Sequence, residues 1–436
     1  MKKNLTESVV AGKNSTDRSR RQFIKKTAAA TAIAAAGAVV LPKYARAAAR
    51  PIKVGFITPK TGAIAAFAAC DDFVLSAVRK ATSGGIMVNG VNHPLEIIVK
   101  DAQSKQSRAA EVAAELIKSD KVDLLVSACH IDTIGPVSDQ AEINGVPCIV
   151  TDCPWQLLWI AHGVDFQKAF DWSYLFFWGL DDDLAVNLDI WTGLPTNKVV
   201  GALWADDASG IGFSHAFPPL MEEKGFKVVD PGRFSFNNPD FSTQISMFKQ
   251  AKAEIIHGEM PAGVFAEFWT QAAQQGFRPK IVTISAGLLF PSSVDALTGD
   301  SGQGLCGEVN WSPEYPFKSS LTGQTSAQLC AQWEKETGKE WTQPIGHKHA
   351  LFEVAIDVLK RTKNIDSPQA IRDAILTTNY NSIVGHIQWT GQPNKNVCKT
   401  PLCGGQWVRG KKYKYDLNVV SNIFATEIPK HALQPL

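Results

Sequence analysis

The sequence predicts an α/β protein made of two similar Rossmann-like lobes, each built on a parallel sheet. Short apolar segments alternate with amphipathic segments along the chain, which is the pattern of successive βαβ units. Because the crossovers of such units are right-handed and join parallel strands, the alternation predicts parallel sheets. The segments 95–127 and 226–257 also share one plan, namely strand, polar turn, amphipathic helix and strand. This repeated plan predicts two lobes of one kind in place of a single large sheet.

The first half of the chain contains four predicted strands with helices between them. The strands are expected at 52–57, 95–99, 122–126 and 147–150. Between the second and third strands, the segment 108–118 places its apolar residues at the i, i+3, i+4, i+7 spacing of a helix that packs on one face. The other two connections carry the same kind of apolar spacing.

The alternation begins again after residue 198. Strands are predicted at 199–204, 226–229, 254–257 and 280–284, and helices at 214–224, 240–252 and 261–275. Two further helices follow, one at 350–361 and one that starts at Ser367-Pro368, where serine is the N-cap and proline the first helical residue. The last fifty residues are expected to be short strands and glycine-containing turns.

The predicted topology indicates where a ligand would bind. In open parallel sheets, ligands bind beyond the carboxyl ends of the strands. Two lobes whose strand ends face each other would enclose a cleft. The loops that enter this cleft are predicted to begin at Thr58, Ser127, Thr151, Ala205, His257 and Ser285.

Charge is distributed unevenly along the chain. Residues 1–47 carry ten Lys and Arg against two acidic residues, whereas the remaining chain has 34 basic and 40 acidic residues, a net charge of −6. A mildly acidic body has no electrostatic footprint for nucleic acid, so nucleic acid is not an expected partner.

The basic N-terminus has the layout of an export signal. The pair Arg20-Arg21 precedes a moderately apolar segment at 28–41, and Ala45-Arg46-Ala47 supplies a small-x-small cleavage site. A twin arginine in this position is typical of the bacterial twin-arginine export route. We therefore expect residues 1–47 to be a signal peptide, and the mature protein to begin near Ala48 and to be soluble in the periplasm.

Eight cysteines would enter an oxidising compartment after export. Cys398 and Cys403 flank a turn-like segment and are the favoured disulfide pair, and Cys148 with Cys153 is a second possibility. A zinc site is disfavoured because the spacing of each pair is four residues and not two.

The sequence contains no P-loop, HExxH, CxxC or GxSxG motif. The acidic run Asp181–Asp183 could bind a hard metal ion. Carboxylates in the first turn of a helix are the favoured interpretation, because the helix dipole stabilises them there. No cofactor, metal or catalytic residue is therefore predicted.

Several segments, in this order, resemble the periplasmic solute-binding proteins of branched-chain amino-acid ABC transporters (leucine/isoleucine/valine-binding-like), which have the type I periplasmic-binding fold. The segments that carry the resemblance are 53–62, 108–117, 144–147, 271–277 and 384–385. The resemblance implies two lobes joined by a three-crossover hinge. It places lobe one at 51–178 plus 311–385, lobe two at 179–310 plus 386–420, and a C-terminal tail at 421–436.

The resemblance also implies candidate ligand-binding residues at the cleft. Thr133 matches the family's carboxylate-binding hydroxyl, while His130 and Asp132 replace its usual serines, and Glu259 matches the region of the acidic partner of an amine. Trp155 and Trp178 lie at loop starts on the cleft side. The full candidate set is Phe67, His130, Asp132, Thr133, Trp155, Trp178, Asp207, Glu259, Met260, Ser285 and Trp311.

Three functions fit these features. The favoured one is a monomeric solute-binding protein that closes on an amino acid, an amide or an aromatic or aliphatic carboxylate and delivers it to an ABC-transporter permease. An exported enzyme with an unrecognised active site in the cleft is the second. A sensing module that docks on a membrane receptor is the third.

Overall fold

The strands form two main sheets and two small hairpins in the computed structural model, which describes residues 49–235 and 240–436; the predicted signal peptide lies outside the described residues. The strands are β1 Ile52–Thr58, β2 Ile86–Val88, β3 Val91–His93, β4 Leu95–Asp101, β5 Leu124–Ala128, β6 Cys148–Thr151, β7 Ser173–Phe176, β8 Val199–Ala205, β9 Lys227–Val229, β10 Arg233–Phe234, β11 Ile255–Met260, β12 Ile281–Ala286, β13 Cys306–Val309, β14 Tyr380–Ser382, β15 Gly385–Ile387, β16 Val397–Cys398, β17 Cys403–Arg409 and β18 Tyr415–Ser421.

The helices pack mainly on the faces of these sheets. They are α1 Asp71–Ala81, α2 Gln106–Glu115, α3 Ile131–Asn144, α4 Trp155–Ala161, α5 Leu180–Thr192, α6 Ala208–Glu223, α7 Ser242–Ala251, α8 Ala262–Gln274, α9 Pro291–Asp295, α10 Ser326–Thr337, α11 Pro344–Arg361 and α12 Pro368–Leu376. Asp181–Asp183 lie in the first turn of α5, as the sequence predicts. No helix of the described segments has both the length and the apolar character needed to cross a bilayer.

The first sheet is parallel throughout and has the strand order β16-β7-β6-β5-β1-β4. β5 is buried along its whole length, as expected for a strand covered on both faces. The order reverses between β1 and β5, because the chain next adds β4 on one side of β1 and β5 on the other. This reversal is the topological switch point at which doubly wound sheets bind ligands.

The second sheet repeats the arrangement and extends it. β10, β8, β11, β12 and β13 pair in parallel in that order, β9 pairs with β8, and β17 and β18 then add antiparallel strands. β11 is fully buried, like β5 in the first sheet. The switch point of this sheet lies between β8 and β11. The two lobes therefore share one topology, which confirms the prediction made from the repeated plan of the sequence.

The chain passes between the two sheets three times. It crosses after β7, after β13 and between β16 and β17. The segment 386–398, which the sequence predicts for lobe two, instead contributes β16 to the first sheet by pairing Val397 with Leu175. The predicted tail packs on lobe two, where the Gln406 side chain donates to the Gln434 carbonyl at 2.7 Å.

The predicted disulfide between Cys398 and Cys403 is wrong for this structure. The two cysteines lie in strands of different sheets, and each thiol has partners of its own: Cys398 Sγ accepts a hydrogen bond from the Gln388 amide at 3.4 Å. Cys148 and Cys153 are also unpaired, and all eight cysteines are buried free thiols. Burial raises the pKa of Cys398 to about 11 and that of Cys403 to about 12, which keeps both as unreactive thiols.

Candidate functional site

A pocket of about 400 Å³ lies between the two lobes, where the carboxyl ends of strands from both sheets meet. Its lining residues follow or end strands β1, β5, β6, β7, β8, β11, β12 and β13. They are Phe67, His130, Asp152, Cys153, Pro154, Leu157, Phe177, Trp178, Ser209, Phe213, Glu259, Ser285, Ala286, Leu289, Glu308 and Asn310.

A second cavity of about 790 Å³ shares Phe67, His130, Glu259 and Ala286 with the first. Its lining adds Asp132 and Asp207, together with small residues of the loop after β1. The two cavities therefore form one region of the cleft.

Lobe one contributes residues that follow its switch point. Phe67 comes after β1, and His130 comes after β5 as the N-cap of α3. Asp152 follows β6 with a backbone φ of 68°, in the left-handed region that is costly for a residue with a side chain. This strained turn carries Asp152 into the pocket lining.

Lobe two contributes residues from the equivalent positions. Asp207 follows β8 and caps α6, because its Oδ1 accepts a hydrogen bond from the Gly210 amide at 2.7 Å. The turn is too tight for a larger residue at 210, since a Cβ there would lie 2.1 Å from the Ala205 carbonyl oxygen. Glu259 lies within the end of β11, and Ser285 lies within the end of β12.

Among the contacts that cross the cleft beside the pocket, two involve residues that the sequence predicts for the site. His130 Nε2 lies 3.7 Å from Glu259 Oε1. The rings of Phe67 and Phe290 meet edge to face with centroids 5.0 Å apart. A charged pair and an aromatic pair thus join the lobes at the predicted site.

The electrostatics of the pocket are dominated by buried carboxyl groups. Burial raises the pKa of Asp152 and of Glu259 to about 7 in each case. Burial also raises the pKa of Glu308 and of Asp183, and the mutual repulsion of these two groups adds to the shift of Glu308. Water is a better solvent for a carboxylate than this pocket, so each group keeps its proton to higher pH.

His130 is the cationic group of the pocket lining. Its burial opposes protonation, but the carboxylates of Asp132 and Glu259 outweigh burial and hold the pKa of the imidazole well above its ordinary value. The Asp132 contact, at 3.5 Å from Nδ1, is within lobe one, whereas the Glu259 contact spans the cleft.

His130, Asp207 and Glu259 also form a possible metal-binding cluster. One ligand atom from each lies within 4.8 Å of the others. An imidazole and two carboxylates are suitable ligands for a divalent cation, provided that the imidazole is neutral. The sequence does not predict this cluster, because its three members are far apart along the chain.

The structure places seven of the predicted residues in the lining of the two cavities: Phe67, His130, Asp132, Trp178, Asp207, Glu259 and Ser285. Other lining residues were missed. Asp152 directly follows a predicted strand, so the strand-end rule could have found it. Glu308 lies within β13 and Asn310 follows it, and the sequence does not indicate this strand.

The other four predicted residues do not line either cavity. Thr133 is fully buried beside the Cys129 thiol, and Trp155 packs edge-on against Trp159. Met260 points into the core of lobe two. Trp311 is fully buried, donates from Nε1 to the Ile383 carbonyl at 3.2 Å, and fits only because residue 346 is glycine. For these residues, packing decides the position of the side chain.

The sequence model of a protein family described as periplasmic binding protein matches residues 51–411. The chain belongs to the periplasmic binding protein family. This membership accounts for two lobes whose strand ends converge on one pocket.

Solved structures of periplasmic binding proteins share the fold at low sequence identity. The leucine-binding protein LivK of Thermotoga maritima is 20% identical, covers 85% of this chain and 99% of its own, and has a TM-score of 0.69. The branched-chain amino-acid protein LivJ of Streptococcus pneumoniae, solved with isoleucine, is 17% identical with coverages of 85% and 99% and a TM-score of 0.68. A solute-binding protein of an ABC transporter from Rhodopseudomonas palustris, solved with 3,4-dihydroxybenzoic acid, is 20% identical with coverages of 85% and 96% and a TM-score of 0.68.

Proposed function

We propose that this protein is the exported solute-binding component of an ABC uptake system and that it binds one small organic molecule between its lobes. The observation that carries the proposal is the pocket itself, because its lining comes from eight strand ends of two sheets. A ligand held there touches both lobes and stabilises their closed arrangement, which is the hinge closure known for periplasmic binding proteins. Phe67 and Phe290 would then stay in contact only while the cleft is closed.

The remaining parts of the proposal follow from this role. The twin-arginine leader predicted at 1–47 would export the protein to the periplasm, where it would act as a soluble monomer. We keep the two predicted lobes but move the third crossing between them to 399–402. The three crossings would then form the hinge. A membrane permease would receive the closed, loaded form.

A thermal-shift screen of small metabolites on the mature protein tests the proposal. A ligand that binds only the folded state stabilises it by about 2.7 kcal/mol when its concentration is about 100 times Kd. Phe67→Ala should weaken any such ligand by at least tenfold, because Phe67 lines both cavities. Phe424→Ala is the matched control, since Phe424 is exposed and away from the pocket.

Three further measurements test this function against the others. Small-angle scattering should show a smaller radius of gyration with the ligand bound. Mass spectrometry should recover the ligand unchanged, and its conversion would support the exported enzyme instead. Capture of a receptor in place of a permease by the loaded protein would support the sensing module.

A further inference from the structure

The pocket contains buried oxygen acceptors that have no hydrogen-bond partner within the described part of the chain. They are Asp152 Oδ2, Glu259 Oε2, Glu308 Oε2 and Asn310 Oδ1. All four residues are at most 5% exposed. Buried polar atoms in native proteins are normally paired. A cationic ligand would keep the three carboxyl groups ionised, so that all four oxygens accept the hydrogen bonds that the ligand donates.

The pocket offers an anion few partners. No Lys or Arg is among its described lining residues, and the imidazole of His130 already faces two carboxylates, those of Asp132 and Glu259. The nearby Lys348 ammonium is bonded to the Asp71 carboxylate. A ligand carboxylate would therefore compete with two carboxylates of the protein for His130.

Two helix N-termini, the other usual kind of anion site, are capped by the chain's own carboxylates at α5 and α6. Asp207 accepts from the Gly210 amide at the start of α6, and Asp182 accepts from the Gly179 amide at 2.8 Å at the start of α5. The Thr133 hydroxyl, which the resemblance assigns to a ligand carboxylate, is buried away from both cavities. An incoming carboxylate therefore lacks these three groups of donors.

The walls of the pocket suit the body of an organic cation. Phe67, Phe177, Trp178 and Phe213 line it, and aromatic faces attract cations as well as apolar groups. The Nε1–H of Trp178 is also buried without a partner, so the ligand can carry one acceptor atom as well.

We infer, on the basis of the proposed function, that the pocket selects a compact organic cation with several N–H donors, of the amidinium, guanidinium or ammonium type, on an apolar or aromatic body. The ligands solved in the two related proteins above, isoleucine and 3,4-dihydroxybenzoic acid, both contain a carboxyl group. The present pocket would discriminate against such a group by leaving its negative charge unpaired beside Glu259 and Glu308.

Benzamidinium, benzamide and benzoate test the inference because they share one shape and differ in charge and in N–H donors. Their binding would be measured by titration calorimetry at about pH 8 with EDTA present, so that a metal ion on the His130 cluster does not contribute; leucine serves as the zwitterion. Benzamidinium should bind at least about tenfold more tightly than benzamide, and benzoate and leucine should bind more weakly still.

Two isosteric variants test whether carboxyl groups of the pocket bind the cation. Glu308→Gln and Asp152→Asn should each weaken benzamidinium by at least about tenfold while changing benzamide by less than about threefold. Asp72→Asn is the control, because Asp72 is an exposed carboxylate of α1 outside the pocket, and it should leave both affinities unchanged. If a variant fails to fold, a measurement on the parent protein takes its place. Binding of the cation should release protons from the carboxyl groups, so the heat of binding should depend on the buffer in which it is measured.

Each other outcome overturns the inference in a recognisable way. Tighter binding of benzoate or leucine would reject the cation class and leave the proposed function intact. Absence of binding by all four compounds would also reject it, and the metabolite screen would then decide the proposed function separately. Cation binding that both variants leave unchanged would show that the pocket oxygens are not the partners.

Discussion

The buried pair of Lys348 and Asp71 allows a stability prediction that can be tested sharply. Lys348 of α11 donates to the Asp71 carboxylate in the first turn of α1, and to the Thr58 hydroxyl at 3.3 Å. Both side chains are 1% exposed, so solvent does not screen the pair. The change Lys348→Met keeps the length of the side chain and leaves Asp71 buried without a cation.

The expected loss follows from the burial of both partners. Removing one partner of a buried ion pair costs about 3–5 kcal/mol, because the other charge remains without water or a counterion. With an unfolding entropy of about 2.1 cal/mol/K per residue and about 390 folded residues, this loss lowers Tm by about 4–6 °C. Asp71→Leu combined with Lys348→Met should regain most of the loss, since apolar replacement of a whole buried pair is often neutral.

Chemical unfolding at about pH 7, followed by circular dichroism, measures the free energies of unfolding. Lys335→Met is the matched control, because Lys335 is an exposed lysine on α10 and should change stability by no more than about 0.5 kcal/mol. The reasoning is refuted if Lys348→Met costs less than about 1 kcal/mol, or if the double variant is as unstable as the single one.

Four further predictions follow from other features. Replacing Arg20 and Arg21 by Lys should leave the precursor in the cytoplasm, which cell fractionation checks; normal export would contradict the twin-arginine assignment. Gly210→Ala should destabilise lobe two by about 1–3 kcal/mol through its clash with the preceding strand end, and an unchanged Tm would contradict it. Thiol titration of the unfolded, unreduced protein should find eight free cysteines. Finally, the ligand-free protein should lose stability as the pH rises from 4.5 to about 7, because the folded state holds the Glu259 proton over that interval and the unfolded state does not. The raised pKa of His130, which faces Glu259, acts in the same direction above about pH 6.5, whereas the lowered pKa values of the buried His257, His347 and His349 oppose the loss below that pH. Glu259→Gln should therefore make the loss of stability over this interval smaller, and an unchanged pH dependence in this variant would contradict the prediction.

The fold could be predicted from the sequence because it depends on a simple repeated signal. Alternating apolar and amphipathic segments specify parallel βαβ units, and the strands at 52–57 and 280–284 appear where this pattern puts them. Short or irregular elements lack the signal. β13 has four residues and includes the polar Glu308, so neither periodicity nor length distinguishes it from a loop.

The candidate site could be predicted where it depends on strand ends and not where it depends on side-chain direction. The rule that ligands lie beyond the carboxyl ends of parallel strands places the loops of His130, Asp207 and Glu259 at the cleft, and the family resemblance selects these residues within them. Thr133 follows the same strand as His130, and Trp155 follows the next strand, β6, yet the helices that begin there turn both side chains into the protein. A loop can thus be placed at the cleft from sequence, whereas the residue within it that faces the ligand depends on local helix geometry.

Two residues of the pocket lining have a backbone conformation that is costly for a residue with a side chain. Asp152 after β6 and Ala286 at the end of β12 both have positive φ, 68° and 61°, and both line the pocket. β6 pairs with β5 and β12 pairs with β11, and β5 and β11 are strands at the switch points of their sheets. Asp152 and Ala286 therefore occupy equivalent places in the two lobes. Strained residues of this kind persist only where surrounding structure holds them, and they cluster at ligand sites. The first turn carries the Asp152 carboxyl group. In the second, the Ala286 amide donates a hydrogen bond to the Glu308 carboxyl group at 3.0 Å. These two turns therefore position the Asp152 carboxyl group and hold the Glu308 carboxyl group, two of the groups that we propose as partners of a cation.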